Sequence, residues 1–362
     1  MFSYEMPTKV FFGRDCLQHS GEAISALGHK AMLVTGRRSA KANGAQDAVQ
    51  ACLRNLEIDW CLFDEVESNP SIETVRRAAN LAKAEACDVI IAIGGGSPMD
   101  AGKVIALLCT NTLDDERLFT GPYARPLPIV TVPTTAGTGS EVTKVGVLTN
   151  HCKGTKESVA DPLLFPTLSY VDPSFTMSVS EKVTIDTAID ALSHAVEGYL
   201  SKRATPMSDV WAEEAMRFIG GHLTELKGKL PYSVREDLLY GSMLAGITIA
   251  QTGTTLVHGM GYQLTYYKDL SHGRANGLLL PAYMALMSET MPHKTERIWD
   301  ILSLSGITDF RALMVDLMPE HVALTAAEID AYVELTMRKT SVAVTAYPVT
   351  AAVVAELYKS LS

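Results

Sequence analysis

The sequence predicts an α/β N-terminal domain with a mostly parallel sheet, followed by an all-α C-terminal domain. Two observations support this prediction. Over the first half of the chain, short apolar runs typical of buried strands alternate with helical patterns, as in parallel sheets covered on both faces. From about residue 178 the strand patterns fade, and apolar residues recur at helical spacing. We therefore place one domain at residues 1–178 and the other at residues 179–362.

The predicted elements follow in chain order. Strands are predicted at residues 9–13, 31–35, 59–64, 88–93 and 128–133, with weaker strand patterns at 145–148 and 168–171. Helices of the first domain are predicted at residues 14–28, 43–56 and 72–86, with a further helix that runs through Leu108. Helices of the second domain are predicted at residues 181–202, 205–228, 233–251, 254–266, 276–290 and 327–338.

Composition argues against several classes of protein. The 362 residues have a net charge of −10, which argues against non-specific binding to nucleic acid. No run reaches the roughly 18 apolar residues that span a bilayer, and the N-terminus does not have the pattern of a signal peptide. The six cysteines form no CxxC pair, which is typical of reduced thiols and predicts a cytoplasmic protein.

A glycine-rich segment, residues 94–103, follows the strand predicted at 88–93 and leads into a helix. Ligands of parallel sheets bind at the carboxyl ends of the strands, so this position is informative. Three glycines allow close approach of a ligand, and the N–H groups of a helix that starts near Ser97 and Pro98 favour an anion such as pyrophosphate. The segment matches neither GxGxxG nor a Walker A loop. A tight strand–helix turn that needs glycine is the alternative explanation.

A second polar loop, residues 134–143, follows the strand predicted at 128–133 and is rich in glycine and hydroxyl side chains. This loop could enclose the other side of the same ligand. The alternative is a polar loop with ordinary Ser/Thr turns.

Asp190 and His194 are four residues apart in a predicted helix, so both side chains lie on one face. Apolar Ile189, Leu192 and Val196 flank them, which predicts that this face is buried. A buried carboxylate and imidazole need a partner, because an unpaired buried charge is unfavourable. The partner could be a divalent metal, or the two side chains could form a hydrogen bond with each other.

Two further histidines are candidates for the same site. His258 lies among apolar residues, and His272 comes just before another helix. Taken alone, each is more typical of an ordinary core or capping histidine.

Four motifs, in order along the chain, together resemble the iron-containing (group III) alcohol dehydrogenases. They are residues 94–103, residues 133–143, Asp190-x3-His194 and His258-x13-His272. The resemblance covers nearly the whole chain, from the Phe-Phe-Gly of residues 11–13 to Pro281. It implies that an α/β N-terminal domain binds NAD(P), that a helical C-terminal domain binds the metal, and that the active site is the cleft between them.

The resemblance also implies roles for individual residues. The metal ligands would be Asp190, His194, His258 and His272. The pyrophosphate would contact Gly94, Gly95, Gly96, Ser97 and Asp100. The rest of the dinucleotide would contact Asn69, Thr134, Thr135, Thr138 and Lys156.

The implied ligand set agrees with the implied chemistry. One carboxylate and three imidazoles suit Fe²⁺, with Zn²⁺ as the alternative, and such an ion acts as a Lewis acid on the oxygen of a small alcohol or aldehyde. The nicotinamide supplies the redox chemistry by exchanging hydride with the substrate carbon. Dimers are common in the family, so a homodimer is expected.

Cofactor preference is predicted from the end of the second strand. Relatives that prefer NAD often have Asp where this chain has Gly36, and here Arg37 and Arg38 follow. An acidic residue at this place binds the ribose 2′-OH of NAD, whereas a nearby arginine accommodates the 2′-phosphate of NADP. We therefore expect a preference for NADP(H), with Arg37 or Arg38 as the phosphate partner. The alternative is that both arginines are only solvated.

Tyr262 marks a departure from the family pattern. Many relatives have a second histidine four residues after the ligand that matches His258, and this chain has Tyr262 there. On a helix the two side chains share a face, so Tyr262 should point toward the metal. Its reference pKa near 10 makes it a poor proton acceptor unless the metal and Lys156 lower that pKa. Tyr262 and Lys156 are the candidate catalytic residues, and we expect Tyr262 to position substrate or a water.

Other functions stay open from the sequence. A glycerol- or diol-specific dehydrogenase, or a dehydroquinate synthase, would bind NAD and a metal on the same superfold, although their ligand sets usually differ. A metal-dependent hydrolase with an incidental glycine loop is an alternative from another class. The metal could also be purely structural in a binding protein, because structural sites are normally saturated by protein ligands.

Overall fold

The computed structural model describes residues 1–361 and divides into two compact units. The α/β unit comprises Met6–Val179 together with Pro231–Leu239. The helical unit comprises Met1–Glu5, Ser180–Leu230 and the chain from Tyr240 onward. Within residues 1–361, every helix is too short or too polar to cross a membrane.

The α/β unit is built on a parallel sheet. The described residues contain eight strands: β1 (Lys9–Phe12), β2 (Lys30–Thr35), β3 (Asp59–Phe63), β4 (Val89–Gly94), β5 (Ile129–Pro133), β6 (Val145–Asn150), β7 (Thr155–Ala160) and β8 (Leu168–Val171). Six of them form one sheet in the order β1-β8-β5-β4-β2-β3, with every pair parallel. Strands β6 and β7 form a separate antiparallel pair. The predicted fold class is confirmed.

Register in the sheet brings three strand ends together. Thr35 at the end of β2 lies opposite Ile93 of β4, and Gly94 lies opposite Pro133 at the end of β5. Because the strands are parallel, the segments that follow β2, β4 and β5 all leave the same edge of the sheet.

Both faces of this sheet are buried. The helices of the α/β unit are α1 (Cys16–Ser20), α2 (Ser39–Ala42), α3 (Ala45–Asn55), α4 (Ile72–Ala84), α5 (Gly96–Thr110) and α6 (Arg117–Thr120). Successive residues of β2 alternate between two apolar layers, because side chains along a strand point to opposite faces. Met32 and Val34 belong to the layer that contains α4 and α5, and Ala31 and Leu33 belong to the layer that contains α1 and α3. Such double burial is typical of parallel sheets.

One predicted helix of this unit is not continuous. The sequence predicts a single helix over residues 14–28, but α1 ends at Ser20 and a 3₁₀ helix continues over Gly21–Ala26. Gly21 has a low helix propensity, and the change to the tighter helix occurs at this residue.

The helical unit contains the remaining helices. They are α7 (Glu181–Tyr199), α8 (Pro206–Gly220), α9 (Tyr232–Thr252), α10 (Leu256–Lys268), α11 (His272–Thr290), α12 (Pro292–Leu302), α13 (Ile307–Leu317), α14 (Ala326–Met337), α15 (Thr340–Val344) and α16 (Ala351–Lys359). The first residues of α9 belong to the α/β unit. Helix α7 is capped by Ser180, whose Oγ accepts from the N–H of Val183, and it is buried from Ile185 to Tyr199 except at Thr187. It packs against α8 and α11, and α11 packs against α10.

Candidate metal and nucleotide sites

Three helices bring the predicted metal ligands together. Asp190 and His194 lie one turn apart on a buried face of α7, and α10 contributes His258. The carboxylate and ring nitrogens of these three residues lie within 4.8 Å of one another. The Nε2 atoms of His194 and His258 are 2.8 Å apart, and Nε2 of His258 is 3.8 Å from Oδ1 of Asp190. One carboxylate and two imidazoles therefore converge in the interior of the helical unit.

His272, the first residue of α11, adds a third imidazole. Its Nε2 lies 4.0 Å from Oδ1 of Asp190, and its ring centroid is 5.1 Å from that of His258 at an angle of 71°. The structure thus brings all four predicted ligands to one place within the helical unit.

A close contact between α11 and α7 fixes the position of His272. A Cβ atom at Gly273 would lie 1.8 Å from the carbonyl oxygen of Asp186, so only glycine allows the helices to approach this closely. The side chain of Asp186 accepts hydrogen bonds from Ser271 Oγ at 2.5 Å and Arg274 Nε at 2.8 Å. These contacts anchor the first turn of α11 to α7.

Asn276 lies at the centre of the cluster. Its Nδ2 donates to Oδ1 of Asp190 at 2.9 Å and lies 3.1 Å and 3.2 Å from Nε2 of His258 and of His272. One amide group therefore contacts three of the four predicted ligands and orients the carboxylate.

Glu197 contacts the opposite side of the His258 ring. One carboxylate oxygen, Oε2, is in close hydrogen-bond contact with Nδ1 of His258. The other, Oε1, accepts from the backbone N–H of Thr255 at 2.9 Å and from Oγ1 of Thr255 at 2.6 Å. Burial acts to raise the pKa of Glu197, but the adjacent His258 and Thr255 outweigh burial, and the pKa is lowered. The side chain is 0% exposed, so it is an acceptor enclosed by donors.

Tyr262 contacts His272, one of the predicted metal ligands. Its ring stacks on His272 with centroids 5.4 Å apart and an angle of 20° between the planes. Nζ of Lys339 lies 5.5 Å from the Tyr262 centroid. Lys156, the other candidate catalytic residue, belongs to the α/β unit.

The donor set of the helical unit fits a divalent transition metal. A carboxylate oxygen and imidazole nitrogens are ligands for Fe²⁺ and Zn²⁺, and Asp190, His194 and His258 are buried while His272 is partly exposed. The sequence interpretation missed Glu197, Asn276 and Thr255, which support the ligands. A signal for two of them exists: Glu197 is three residues after His194, and Asn276 is four residues after His272, so each shares a helix face with a ligand.

The two predicted nucleotide loops pack directly on each other in the α/β unit. Helix α5 begins at Gly96, and among the described residues its glycine N-cap has no side-chain capping bond. A Cβ atom at Gly96 would lie 2.6 Å from Cγ2 of Thr138, so glycine is needed for this contact. The N–H of Thr134 donates to the carbonyl of Gly94 at 2.9 Å. Residues 94–97 and 134–138 therefore form one surface beside the first turn of α5.

Asn69 and Lys156 lie next to this surface. Nζ of Lys156 donates to Oδ1 of Asn69 at 2.9 Å. Asn69 has a left-handed backbone with φ 57°, and its N–H donates to Oγ of Ser97 at 3.2 Å. Asn69 thus connects the start of α5 to β7.

Asp100 is held in place by hydrogen bonds from other residues of the α/β unit. Its Oδ1 accepts from Ser140 Oγ at 2.6 Å, and its Oδ2 accepts from the N–H of Val147 at 3.0 Å. Buried Lys103 donates to Ser140 Oγ, Thr143 Oγ1 and the carbonyl of Val145, and burial lowers the pKa of Lys103 to about 8. This network connects α5 to the loop after β5.

The segment predicted to select the cofactor follows β2. Gly36 is partly buried, and Arg37 and Arg38 are exposed ahead of α2. The segment leaves the sheet edge next to the glycine-rich segment, because Thr35 and Ile93 are paired in the sheet.

Comparison with known protein families identifies the chain. A family model described as iron-containing alcohol dehydrogenase matches residues 7–173, and the C-terminal model of the Fe-containing alcohol dehydrogenase family matches residues 184–347. The chain belongs to the iron-containing alcohol dehydrogenase family, as the resemblance of the four motifs predicts.

Individual relatives agree with this assignment. A 1,3-propanediol dehydrogenase of Citrobacter freundii is 40% identical over 290 residues, which cover 78% of this chain and 74% of the relative. An NAD-dependent methanol dehydrogenase of Bacillus methanolicus is 31% identical over 309 residues, which cover 84% of this chain and 80% of the relative. The crystal structure of an iron-containing alcohol dehydrogenase from Thermotoga maritima is similar at a TM-score of 0.94, with 39% identity over 100% of this chain and 99% of that one.

The family assignment confirms the predicted function. The protein is a metal-dependent alcohol dehydrogenase and aldehyde reductase that exchanges hydride between a nicotinamide cofactor and a small alcohol or aldehyde. A diol dehydrogenase also fits these relatives, whereas none of them is a hydrolase.

Proposed function

We propose that this alcohol dehydrogenase depends on Fe²⁺ and prefers NADP(H). The observation that supports the metal most directly is the convergence of buried donor atoms from Asp190, His194 and His258 within 4.8 Å of one another. In this proposal residues 1–178 bind the dinucleotide and residues 179–362 bind the metal.

The proposed metal ligands are the carboxylate of Asp190 and the imidazoles of His194, His258 and His272. One anionic and three neutral ligands leave a net positive charge, so the metal site acts as a Lewis acid on the substrate oxygen. Zinc generally binds such N/O sites more tightly than Fe²⁺. The ion recovered after aerobic purification therefore need not be the working one.

The proposed dinucleotide site is the sheet edge where β2, β4 and β5 end. The uncapped first turn of α5 suits a pyrophosphate, because helix N-termini favour anions. The hydroxyls of Thr135 and Thr138 lie beside this turn, and Lys156 adds a positive charge next to Asn69. Asp100 is also proposed to contact the pyrophosphate, and it holds α5 in place, since both its oxygens accept hydrogen bonds from the protein.

NADP(H) is the proposed cofactor because positively charged side chains follow the end of β2. Gly36 provides no carboxylate for a ribose 2′-OH, and the exposed guanidinium groups of Arg37 and Arg38 suit a 2′-phosphate. The Bacillus methanolicus relative is NAD-dependent, so the family assignment does not decide this choice.

Small primary alcohols and their aldehydes are the proposed substrates, with diols as the second candidate because of the 1,3-propanediol dehydrogenase relative. Tyr262 and Lys156 are the proposed catalytic residues. The stacking of Tyr262 on His272 suits it to position substrate or a water, and its phenol is a poor base at neutral pH. Lys156 contributes its charge near the cofactor.

We further propose a homodimer in the cytoplasm. The support is the family resemblance for the dimer, and the free state of all six cysteines for a reducing compartment. Light scattering coupled to size-exclusion chromatography tests the dimer.

The proposed function is tested by a matrix of assays on the metal-stripped protein. Aldehyde reduction is followed with NADPH or NADH after anaerobic loading with Fe²⁺, with Zn²⁺ or with neither ion. The proposal predicts the highest turnover with Fe²⁺ and NADPH. Equal turnover with and without metal would contradict the metal assignment, and equal kcat/KM for NADPH and NADH would contradict the cofactor preference.

A further inference from the structure

We propose that Glu197 is a positioning residue that sets the tautomer of His258. This inference rests on the proposed metal site and adds a residue that touches neither metal nor substrate. Glu197 would hold the proton of His258 on Nδ1, so that the lone pair of Nε2 is directed toward Asp190 and His194.

The hydrogen bonds of Glu197 require both of its carboxylate oxygens to act as acceptors. Its Oε1 faces the backbone N–H and the hydroxyl of Thr255, and a backbone N–H can only donate. Its Oε2 faces Nδ1 of His258, and an ionised carboxylate can only accept. Nδ1 of His258 must therefore donate, which in the neutral ring leaves Nε2 as the acceptor.

On the opposite side of the His258 ring, Nε2 faces two other predicted metal ligands. Nε2 of His258 lies 2.8 Å from Nε2 of His194 and 3.8 Å from Oδ1 of Asp190. A proton on Nε2 would occupy the direction in which a metal ion must be bound. Carboxylate groups that orient metal-binding histidines in this way typically contribute about 10–100-fold to metal affinity.

The substitution Glu197→Gln separates orientation from packing, because the two side chains have nearly the same shape. If the amide oxygen of Gln faces His258, the amide NH₂ faces the N–H of Thr255, and two donors oppose each other. If the NH₂ group faces His258, Nδ1 must accept and the proton moves to Nε2. Metal binding requires the first arrangement, which the clash of the two donors disfavours, so Glu197→Gln should weaken metal binding. A purely structural Glu197 would change only the stability of the fold.

The first test is a titration of the metal-stripped protein with Zn²⁺ in competition with a chromophoric chelator. We expect Glu197→Gln to weaken Zn²⁺ binding about 10–100-fold. The matched control is Glu213→Gln in α8, which removes a carboxylate paired with Arg297 at 2.8 Å and lies outside the proposed site. Its Zn²⁺ affinity should match that of the wild type. Circular dichroism and the melting temperature of each metal-free variant establish that it is folded.

The second test uses the wild-type protein, so it does not depend on the folding of a variant. ¹⁵N-histidine NMR of the metal-stripped protein should show His258 as the neutral tautomer with its proton on Nδ1, because in this state no metal selects the tautomer. The His258 signals are assigned by their loss in His258→Gln.

The outcomes separate this inference from the proposed function. If the wild type binds no Zn²⁺, both are overturned. If the wild type binds Zn²⁺ and the folded Glu197→Gln binds it equally well, only the role of Glu197 is overturned. A His258 ring without a proton on Nδ1 would also overturn that role.

Discussion

The Nε2 atoms of His194 and His258 face each other at 2.8 Å, with ring centroids 4.5 Å apart. Because Glu197 contacts Nδ1 of His258, Nε2 of that ring is left to accept. A shared proton or a metal ion satisfies this pair, and the carboxylate of Asp190 beside it favours a cation. His194 on α7 and His258 on α10 therefore contribute to the same proposed cation site.

The first prediction concerns the imidazole ligands. His258→Ala and His272→Ala should each remove most of the bound metal and lower turnover at least about 100-fold, because one of the four proposed ligands is lost. The affinity for nucleotide should stay near that of the wild type, since nucleotide binding is assigned to other residues. Metal analysis and fluorescence titration with NADPH measure the two effects.

The control for this prediction is His293→Ala in α12, whose side chain is 98% exposed. This variant should keep both metal and activity. Full activity of His258→Ala in the absence of bound metal would disprove the ligand assignment.

The second prediction concerns cofactor preference. A guanidinium–phosphate contact should contribute about 1.5–3 kcal/mol, or roughly ten- to a hundredfold in affinity. Replacing both Arg37 and Arg38 with Ala should therefore raise KM for NADPH by about that factor and leave KM for NADH nearly unchanged. Arg77→Ala, which removes an exposed arginine paired with Glu65, is the control. A double variant with unchanged KM for NADPH would show that both arginines are only solvated.

The third prediction concerns Tyr262. A phenylalanine ring preserves the stacking on His272, so Tyr262→Phe removes only the hydroxyl. We expect kcat for aldehyde reduction to stay within about tenfold, below the 10²–10⁴-fold typical of an essential general acid or base. A thousandfold drop, with metal and nucleotide still bound, would identify Tyr262 as the proton donor.

The fourth prediction concerns the pH dependence of stability. Burial raises the pKa of Glu141 from 4.5 to about 7, against the lowering effects of a backbone hydrogen bond and of Lys103. Between these two values the folded protein holds a proton that the unfolded chain has released, so stability falls as pH rises through this window. Because Gln has no such proton, Glu141→Gln should stabilise the protein more at about pH 8 than at about pH 5, by at most about 3 kcal/mol.

Denaturant unfolding of the wild type and of Glu141→Gln at the two pH values measures this effect. The difference between the two proteins is the relevant quantity, because other titrating groups affect both. The same difference at both pH values would mean that Glu141 is ionised throughout.

Much of the fold could be predicted because its central strands have a strong local pattern. Strands β2, β4 and β5 are continuous apolar runs, as expected for strands buried on both faces. Strand β7 was missed because its residues are mostly polar, although it forms an antiparallel hairpin with the neighbouring strand β6. Helix α12 was missed because its apolar residues Ile298, Trp299, Ile301 and Leu302 all lie in its second half, so its first half has no helical apolar spacing.

The pairing of Asp190 with His194 could be predicted from sequence because they are neighbours on one helix face, whereas His258 and His272 were added by the resemblance to a family. The role of Glu197 could not be predicted from sequence, although Glu197 lies on the same face of α7 as Asp190 and His194. Its partners Thr255 and His258 are 58 and 61 residues away along the chain, and only the packing of α10 brings them into contact. Side chains that support a site in this way depend on tertiary packing more than on local pattern.

The most direct test of the proposed function is an anaerobic titration of the metal-stripped protein with Fe²⁺, with the rate of NADPH oxidation by an aldehyde measured at each point. We predict no turnover without iron, a linear rise with added Fe²⁺, and saturation at one ion per chain. Turnover of the metal-free protein equal to that at saturation would contradict it.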